Sequence, residues 1–303
     1  MLGTFGIKIM SENQLLNGYA NGITPNGFGL GEVAEHKTSL ELQIMNLQLP
    51  PHYCKTDVMR SVLVNADCFD VFPYIADKSV NLILCDLPYG TTACKWDSVL
   101  PFDKLWKEYE RIITDNGGIV LTASQPFTSA LVMSNPKMFK HEWIWEKQKA
   151  ANFMNMKTAP AKYHENILVF AKNTPTYNPI MWQIEESKRD KRKTVNNPIT
   201  NKDCHLGEIV RTRKEDDGSR YPKSILKIDK SINKNLHPTA KPLELMQYLI
   251  KTYSNEDDVV MDNCMGSNTT GLACKELNRQ YIGIEKEKEY YDISVKRVSE
   301  CLF

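Results

Sequence analysis

Short apolar runs separated by amphipathic stretches set the rhythm of this chain from about residue 60 onward. Ser61-Val62-Leu63-Val64-Asn65-Ala66-Asp67 reads as a strand ending in an acid, and Val80-Asn81-Leu82-Ile83-Leu84-Cys85 as a second strand. Phe102 to Ile113 has helical spacing, with Leu105, Tyr109, Ile112 and Ile113 on one side. Asn116-Gly117-Gly118 ends that helix, and Ile119 to Ala123 is a third strand. Pro126 fits the first turn of the next helix. His141 to Glu146 and Glu165 to Phe170 read as further strands, with Trp143 and Trp145 as sheet packing rather than base-stacking rings.

Residues 172–235 break this alternation. The stretch is polar and interrupted by Asn196-Asn197-Pro198 and Asp216-Asp217-Gly218. The pattern then resumes. Pro242 opens a helix with Met246, Leu249, Ile250 and Tyr253 on one face, and Asp258 to Asp262 is a strand. A helix over Thr270–Leu277, a strand over Gln280–Glu285 and a last helix carrying Tyr291, Val295, Val298 and Leu302 complete the series. Strands alternating with helices predict an α/β fold with helices on both faces of a mainly parallel sheet. Residues 1–58 lack this periodicity. Gly18, Gly22, Gly27, Gly29 and Gly31 punctuate them, and the expectation is an irregular arm.

Composition adds bounds. Of 303 residues, 42% are apolar and 25% charged, which is ordinary for a globular chain, and the formal net charge is +1. A polyanion would therefore need a local positive surface. The segment 172–235 offers one in Lys188, Arg189, Lys191, Arg192, Arg211, Arg213 and Arg220, although neighbouring acids dilute it. The eight cysteines form no CxxC pair and no Cys/His cluster with zinc spacing, so no metal is expected. Reduced, mostly buried thiols and no membrane-length apolar run place the expected compartment in the cytoplasm.

Chemistry gathers where strands end. Asp86-Leu87-Pro88-Tyr89-Gly90 follows the strand ending at Cys85. In an open α/β sheet, ligands bind at the carboxyl ends of strands. An acid beside an aromatic ring suits a flat base with an exocyclic amine, though such a sequence also makes an ordinary turn. A second stretch, Asp262-Asn263-Cys264-Met265-Gly266-Ser267-Asn268-Thr269-Thr270-Gly271, runs from strand through a glycine-containing turn into a helix, and the next strand ends in Glu285. That is the arrangement of a nucleotide-type cofactor site, with the distal carboxylate on ribose hydroxyls. No Gly-Lys-[Ser/Thr] follows, which excludes a phosphate-cradling P-loop. A third stretch, Leu236-His237-Pro238-Thr239-Ala240-Lys241-Pro242, enters the preceding helix, and Lys241 could meet a carboxylate as a point charge.

Taken together, these stretches resemble the β-class amino-methyltransferases of DNA, which use S-adenosylmethionine. That family carries Asp-Pro-Pro-Tyr, then His-Pro-Thr-x-Lys-Pro, then Asp-Pro-Phe-x-Gly-Ser-Gly, then a strand-end Glu. Here the same order appears as Asp86 to Tyr89, His237 to Pro242, Asp262 to Asn268, and Glu285. The resemblance spans about residues 60 to 300. It implies a Rossmann-like methyltransferase sheet in circularly permuted order: a catalytic half over 59–171, an inserted target-recognition segment over 172–235, and a cofactor half over 236–303.

The resemblance also implies roles. Asp86 and the Leu87 carbonyl would accept the amine N–H groups of a flipped-out base, with Tyr89 stacking on the base and Pro88 part of the same catalytic motif. Asp67, beside Cys68, would meet the cofactor's adenine amine, and Glu285 its ribose. His237, Thr239, Lys241, Asp262, Cys264, Gly266, Ser267 and Thr269 would line the remainder, with Thr239 and Lys241 on the methionine portion. Leu87 replaces a proline but keeps the carbonyl. Asn268 replaces a glycine and brings a side chain toward the cofactor, which leaves weaker binding or an inactive relative as an alternative. Aspartate in the first motif position points to adenine N6. Cytosine N4, RNA, and a non-catalytic nucleic-acid-binding role stay open. Double-stranded DNA is the expected partner, a homodimer a second expectation, and no membrane is expected. Lys95-Trp96-Asp97 follows the catalytic loop, where Trp96 reads equally as pocket flank or core.

Overall fold

A computed structural model describes residues 47, 49–50, 53–58, 60–92, 97–152, 154, 156–189, 216–229 and 240–300. All of them lie within one compact unit, Ile44–Phe303. In chain order the elements are β1 (Cys54–Val58), β2 (Ser61–Asn65), α1 (Cys68–Val71), β3 (Val80–Cys85), α2 (Phe102–Ile112), β4 (Ile113–Ala123), α3 (Phe127–Ser134), β5 (Phe139–Glu146), β6 (His164–Phe170), β7 (Trp182–Gln183), β8 (Ser219–Arg220), β9 (Ile225–Lys227), α4 (Leu243–Tyr253), β10 (Val259–Asp262), α5 (Thr269–Glu276), β11 (Gln280–Glu285) and α6 (Lys288–Glu300).

Among the described residues, nine strands form one sheet in the order β1-β2-β11-β10-β3-β4-β6-β5-β9. The central run from β2 to β4 is parallel throughout. Its strands are buried on both faces, which is why β3 reads as a nearly unbroken apolar run. Ile83 and Cys85 pack on one face with Leu105, Tyr109 and Ile112 of α2. Leu82 and Leu84 pack on the other with Leu245, Leu249 and Ile250 of α4 and Ala273 of α5. From β3 the chain passes through α2 to β4 on one side, and from β10 it passes through α5 to β11 on the other. Connections that part in opposite directions open a crevice between the carboxyl ends of β3 and β10. Asp86 and Asp262 stand at those ends.

Three expectations are corrected. The arm expected through residue 58 ends in β1, which pairs antiparallel with β2 from Cys54↔Asn65 to Val58↔Ser61. Its charged, half-exposed sequence is that of an edge strand and carries no apolar signal. The break expected at Asn116-Gly117-Gly118 lies inside β4, which starts at Ile113 directly after α2. The glycines occupy an irregularity where the partners shift from Val80↔Ile113 to Leu82↔Gly118. The segment 172–235 is not wholly separate from the sheet, because β9 pairs in parallel with β5 and forms the outer edge. Trp143 and Trp145 are buried, their indole N–H groups donating to the Tyr253 hydroxyl and the Ile228 carbonyl. No helix among the described residues is long and apolar enough to cross a membrane.

Candidate active site

Asp86 begins the loop after β3, and its carboxylate is fixed from several sides. Oδ1 accepts from the Tyr89 hydroxyl at 2.8 Å and from Thr122 at the end of β4. Oδ2 lies 2.5 Å from Lys241 Nζ. Burial alone would push the Asp86 carboxyl up. Lys241, helped by the Thr122 and Tyr89 hydroxyls, outweighs burial and holds it below its ordinary value. Lys241 also faces Glu165 at 3.4 Å, and these two acids raise its pKa against the opposite pull of burial. The Tyr89 ring is braced against Phe127 in a near-parallel stack, centroids 5.1 Å apart.

The loop turns through Gly90 at φ +67°, where an added Cβ would meet Val99 Cγ2 at 2.8 Å. Asp97 holds this turn by accepting from the backbone N–H groups of Gly90, Thr91 and Thr92 at 2.8, 2.9 and 2.6 Å. Burial opposes it, but the Thr92 hydroxyl and these N–H donors hold the Asp97 carboxyl below its usual value. Its contribution to stability is therefore present above the unfolded carboxyl pKa of about 3.9 and lost as pH falls through the lower folded value. Asp97→Ala strands three N–H groups and is expected to lower unfolding free energy by roughly 1–3 kcal/mol. Urea unfolding at neutral pH checks this, and an unchanged midpoint would refute the anchoring role.

The second half of the crevice forms at β10 and β11. Asp262 Oδ2 accepts from the Thr270 hydroxyl at 2.7 Å and Oδ1 from Cys264 N–H at 3.1 Å, closing the turn on itself. Glu285 accepts from Gly266 N–H at 2.9 Å and from Glu287 N–H at 2.8 Å. From α6, Ser294 donates to the Gly266 carbonyl at 2.6 Å and Arg297 to the Ser267 carbonyl at 2.8 Å. Tyr109 of α2 donates to Asn263 at 2.5 Å. The turn is thus gripped by elements distant in sequence. Gly266 has φ +51°, and an added Cβ there would meet no atom within 4 Å. The backbone of the turn is open to the crevice.

Burial pushes the Asp262 carboxyl up to about 6. An unfolded aspartate sits near 3.9, so the folded state holds the extra proton between those values. This residue's favourable contribution is complete below the unfolded pKa and disappears as pH rises through about 6. Asp262→Asn is expected to flatten the fall in stability of the cofactor-free protein across that window, a difference on the order of 2–3 kcal/mol. Urea unfolding at several pH values reads it, and parallel slopes for both proteins would contradict it.

The crevice has a volume of about 1310 Å³. Single small-molecule pockets commonly run about 300–1,000 Å³, so there is room for two ligands. Asp86, Leu87, Pro88 and Tyr89 line it on one side. Asp262, Cys264, Gly266, Ser267, Thr269 and Glu285 line the other, and Asp67, Cys68 and Lys241 also belong to the lining. Asp67 caps α1 through Phe69 N–H and pairs with Lys286 at 3.1 Å. Lys241, expected on the cofactor, is ion-paired with Asp86 and Glu165. Asn268 does not line the crevice. It is fully buried at φ 62°, and its Oδ1 accepts from Gly271 N–H at 3.0 Å to cap α5. The expected encroachment on the cofactor is therefore absent, because the left-handed cap turns the side chain inward. His237, Thr239, Lys191, Arg192, Arg211, Arg213, Lys95 and Trp96 lie outside the described residues.

The described cations of the expected DNA-binding set are elsewhere. Lys188 pairs with Glu185 and Arg220 with Asp216. Neither they nor Arg189 line the crevice. Asn178, shortly before β7, bonds to the Thr252 and Lys251 carbonyls near the end of α4, at the opposite end of the sheet from Asp86. Pattern reading also missed Thr122 and Glu165. Nothing in a strand's apolar alternation marks which polar member reaches a neighbouring strand's end.

The chain matches the DNA methylase family model N6_N4_Mtase over residues 80–296. It is 27% identical over 241 residues to the type II methyltransferase M1.MboII of Moraxella bovis, covering 74% of this chain and 91% of that one. With the type II methyltransferase M.HinfI of Haemophilus influenzae it shares 27% over 271 residues, covering 79% and 68%. The crystal structure of an M1.HpyAVI–SAM complex aligns at a TM-score of 0.52 with 27% identity, covering 78% of this chain and 98% of that one. The cytosine-N4-specific PvuII DNA methyltransferase shares the fold at a TM-score of 0.54 and 14% identity, over 79% and 90% of the two chains. S-adenosylmethionine fits the crevice: it has an open glycine turn, acids at the ends of β2 and β11, and room left beside Asp86 in the same space. The chain belongs to the DNA methylase family, the amino-methyltransferases of DNA that take their methyl group from S-adenosylmethionine.

Proposed function

We propose that this protein methylates the N6 amine of an adenine flipped out of duplex DNA. The observation that carries this reading is the placement of Asp86. It is held ionised at the end of β3, in one crevice with the glycine turn and Glu285. An amine inside a duplex cannot reach such a crevice, so the base must leave the stack. Tyr89, braced by Phe127, offers an aromatic surface for it. Asp86 and the Leu87 carbonyl accept the amine N–H groups and aim the nitrogen lone pair. Holding an aromatic amine between acceptors favours the positively charged transition state over the delocalised ground state.

Bound S-adenosylmethionine supplies an electrophilic methyl group on a sulfonium. Gly266 and Ser267 present backbone to its methionine portion, Glu285 takes the ribose hydroxyls, and Asp67 takes the adenine amine. An aspartate in the first position of the catalytic motif supports adenine. For the DNA backbone, the exposed Lys104 and Lys149 on the crevice rim are better placed than the ion-paired Lys188 and Arg220.

Incubation with methyl-labelled S-adenosylmethionine and mixed-sequence duplex, then digestion to nucleosides, tests the base and the substrate together. Label in N6-methyldeoxyadenosine is expected. Label in N4-methyldeoxycytidine would refute the base, and label confined to RNA in a parallel reaction would refute the substrate.

A further inference from the structure

Asp86 shares its side of the crevice with a second carboxylate. Glu165, near the start of β6, lines the same space. Its Oε1 is paired with Lys147, while its Oε2 is buried and accepts no hydrogen bond among the described residues. Lys241 Nζ stands between the two acids, 2.5 Å from Asp86 Oδ2 and 3.4 Å from Glu165 Oε2. Only 9% of the Lys241 side chain is exposed. Among the described residues, the other groups facing Asp86 carry no positive charge: Tyr89 on its own loop, Thr122 on β4, and Asp262 and Cys264 from β10 and its turn.

A carboxylate offers about four lone-pair positions. Tyr89 and Thr122 occupy both on Asp86 Oδ1, and Lys241 occupies one on Oδ2. Among the described residues one remains, on Oδ2, and the lysine fixes its direction. We propose that Lys241 is a positioning residue for methyl transfer: seated between Asp86 and Glu165, it holds both carboxylates to one ammonium and leaves on Asp86 Oδ2 a single acceptor position aimed at the incoming amine. Without Lys241, Lys147 still pairs with Glu165, but Asp86 has no cation beside it among the described residues, and burial together with the neighbouring acid raises its pKa. Lys241 therefore serves the reacting centre rather than the carboxylate of the cofactor.

This inference rests on the methyl-transfer reading, and the wild-type protein is the control for that reading. If wild type transfers no methyl group, the function fails. If it does, the following outcomes bear on Lys241 alone. The experiment is the pH profile of single-turnover transfer at saturating S-adenosylmethionine, with cofactor affinity measured in parallel. Lys241→Met is expected to shift the acid limb upward by about one pH unit or more, so that transfer falls roughly tenfold further at the acid end than at the alkaline end. Adding Glu165→Gln to Lys241→Met removes the second acid and should return the limb toward its wild-type position. Lys241→Arg keeps the charge and should leave the limb in place. A Lys241→Met protein that only weakens cofactor binding, with an unshifted pH profile, overturns the proposal. If Lys241→Met does not fold, an acid limb displaced upward in Lys241→Arg overturns it as well.

Discussion

Asp86→Ala is expected to abolish methyl transfer, by roughly a thousandfold or more, while the protein continues to bind S-adenosylmethionine. The carboxylate sits at the one point of the crevice where the strand end, the Tyr89 and Thr122 hydroxyls and the Lys241 ammonium converge. Removing it deletes the charged acceptor proposed for the amine. The fold is expected to survive, because Lys241 keeps Glu165 as a partner and the Asp97 anchor of the loop is untouched. Single-turnover transfer and calorimetric cofactor binding separate the two effects. Transfer within tenfold of wild type would show that the amine is held elsewhere.

Glu285→Ala is expected to do the reverse. Its carboxylate pins Gly266 and Glu287 through their backbone N–H groups, and it is the acid assigned to the ribose. Burial raises its pKa, while those same N–H donors pull it back down. Hydrogen bonds to charged groups contribute about 1.5–3 kcal/mol each, so losing this acceptor should weaken cofactor binding by roughly a hundredfold. Transfer at saturating cofactor should change far less than the dissociation constant. An unchanged dissociation constant would remove Glu285 from the cofactor site.

The core strands were legible in the sequence because a parallel sheet covered on both faces writes continuous apolar runs, as in Val80–Cys85 and Gln280–Glu285. The motif residues at their ends were legible because strand-to-helix turns place them predictably. Pairwise geometry was not. Lys241 and Asp86 are 155 positions apart, and no local pattern says that a buried ammonium spans them. Asn268 shows the same limit: its identity suggested intrusion on the cofactor, while its left-handed backbone makes it a helix cap. The edge strands β1 and β9 escaped pattern reading because half-exposed strands carry mixed polarity.

On the proposed reading, the two halves of this chain, joined at β3 and β10, hold cofactor and target base in one crevice. Isotope partitioning tests it most directly. Protein loaded with methyl-labelled S-adenosylmethionine is mixed with duplex DNA and a large excess of unlabelled cofactor. Label is expected to reach the DNA amine in the first turnover, before the bound cofactor exchanges. Bound label that washes out with none reaching the DNA, while the protein stays folded, would contradict it.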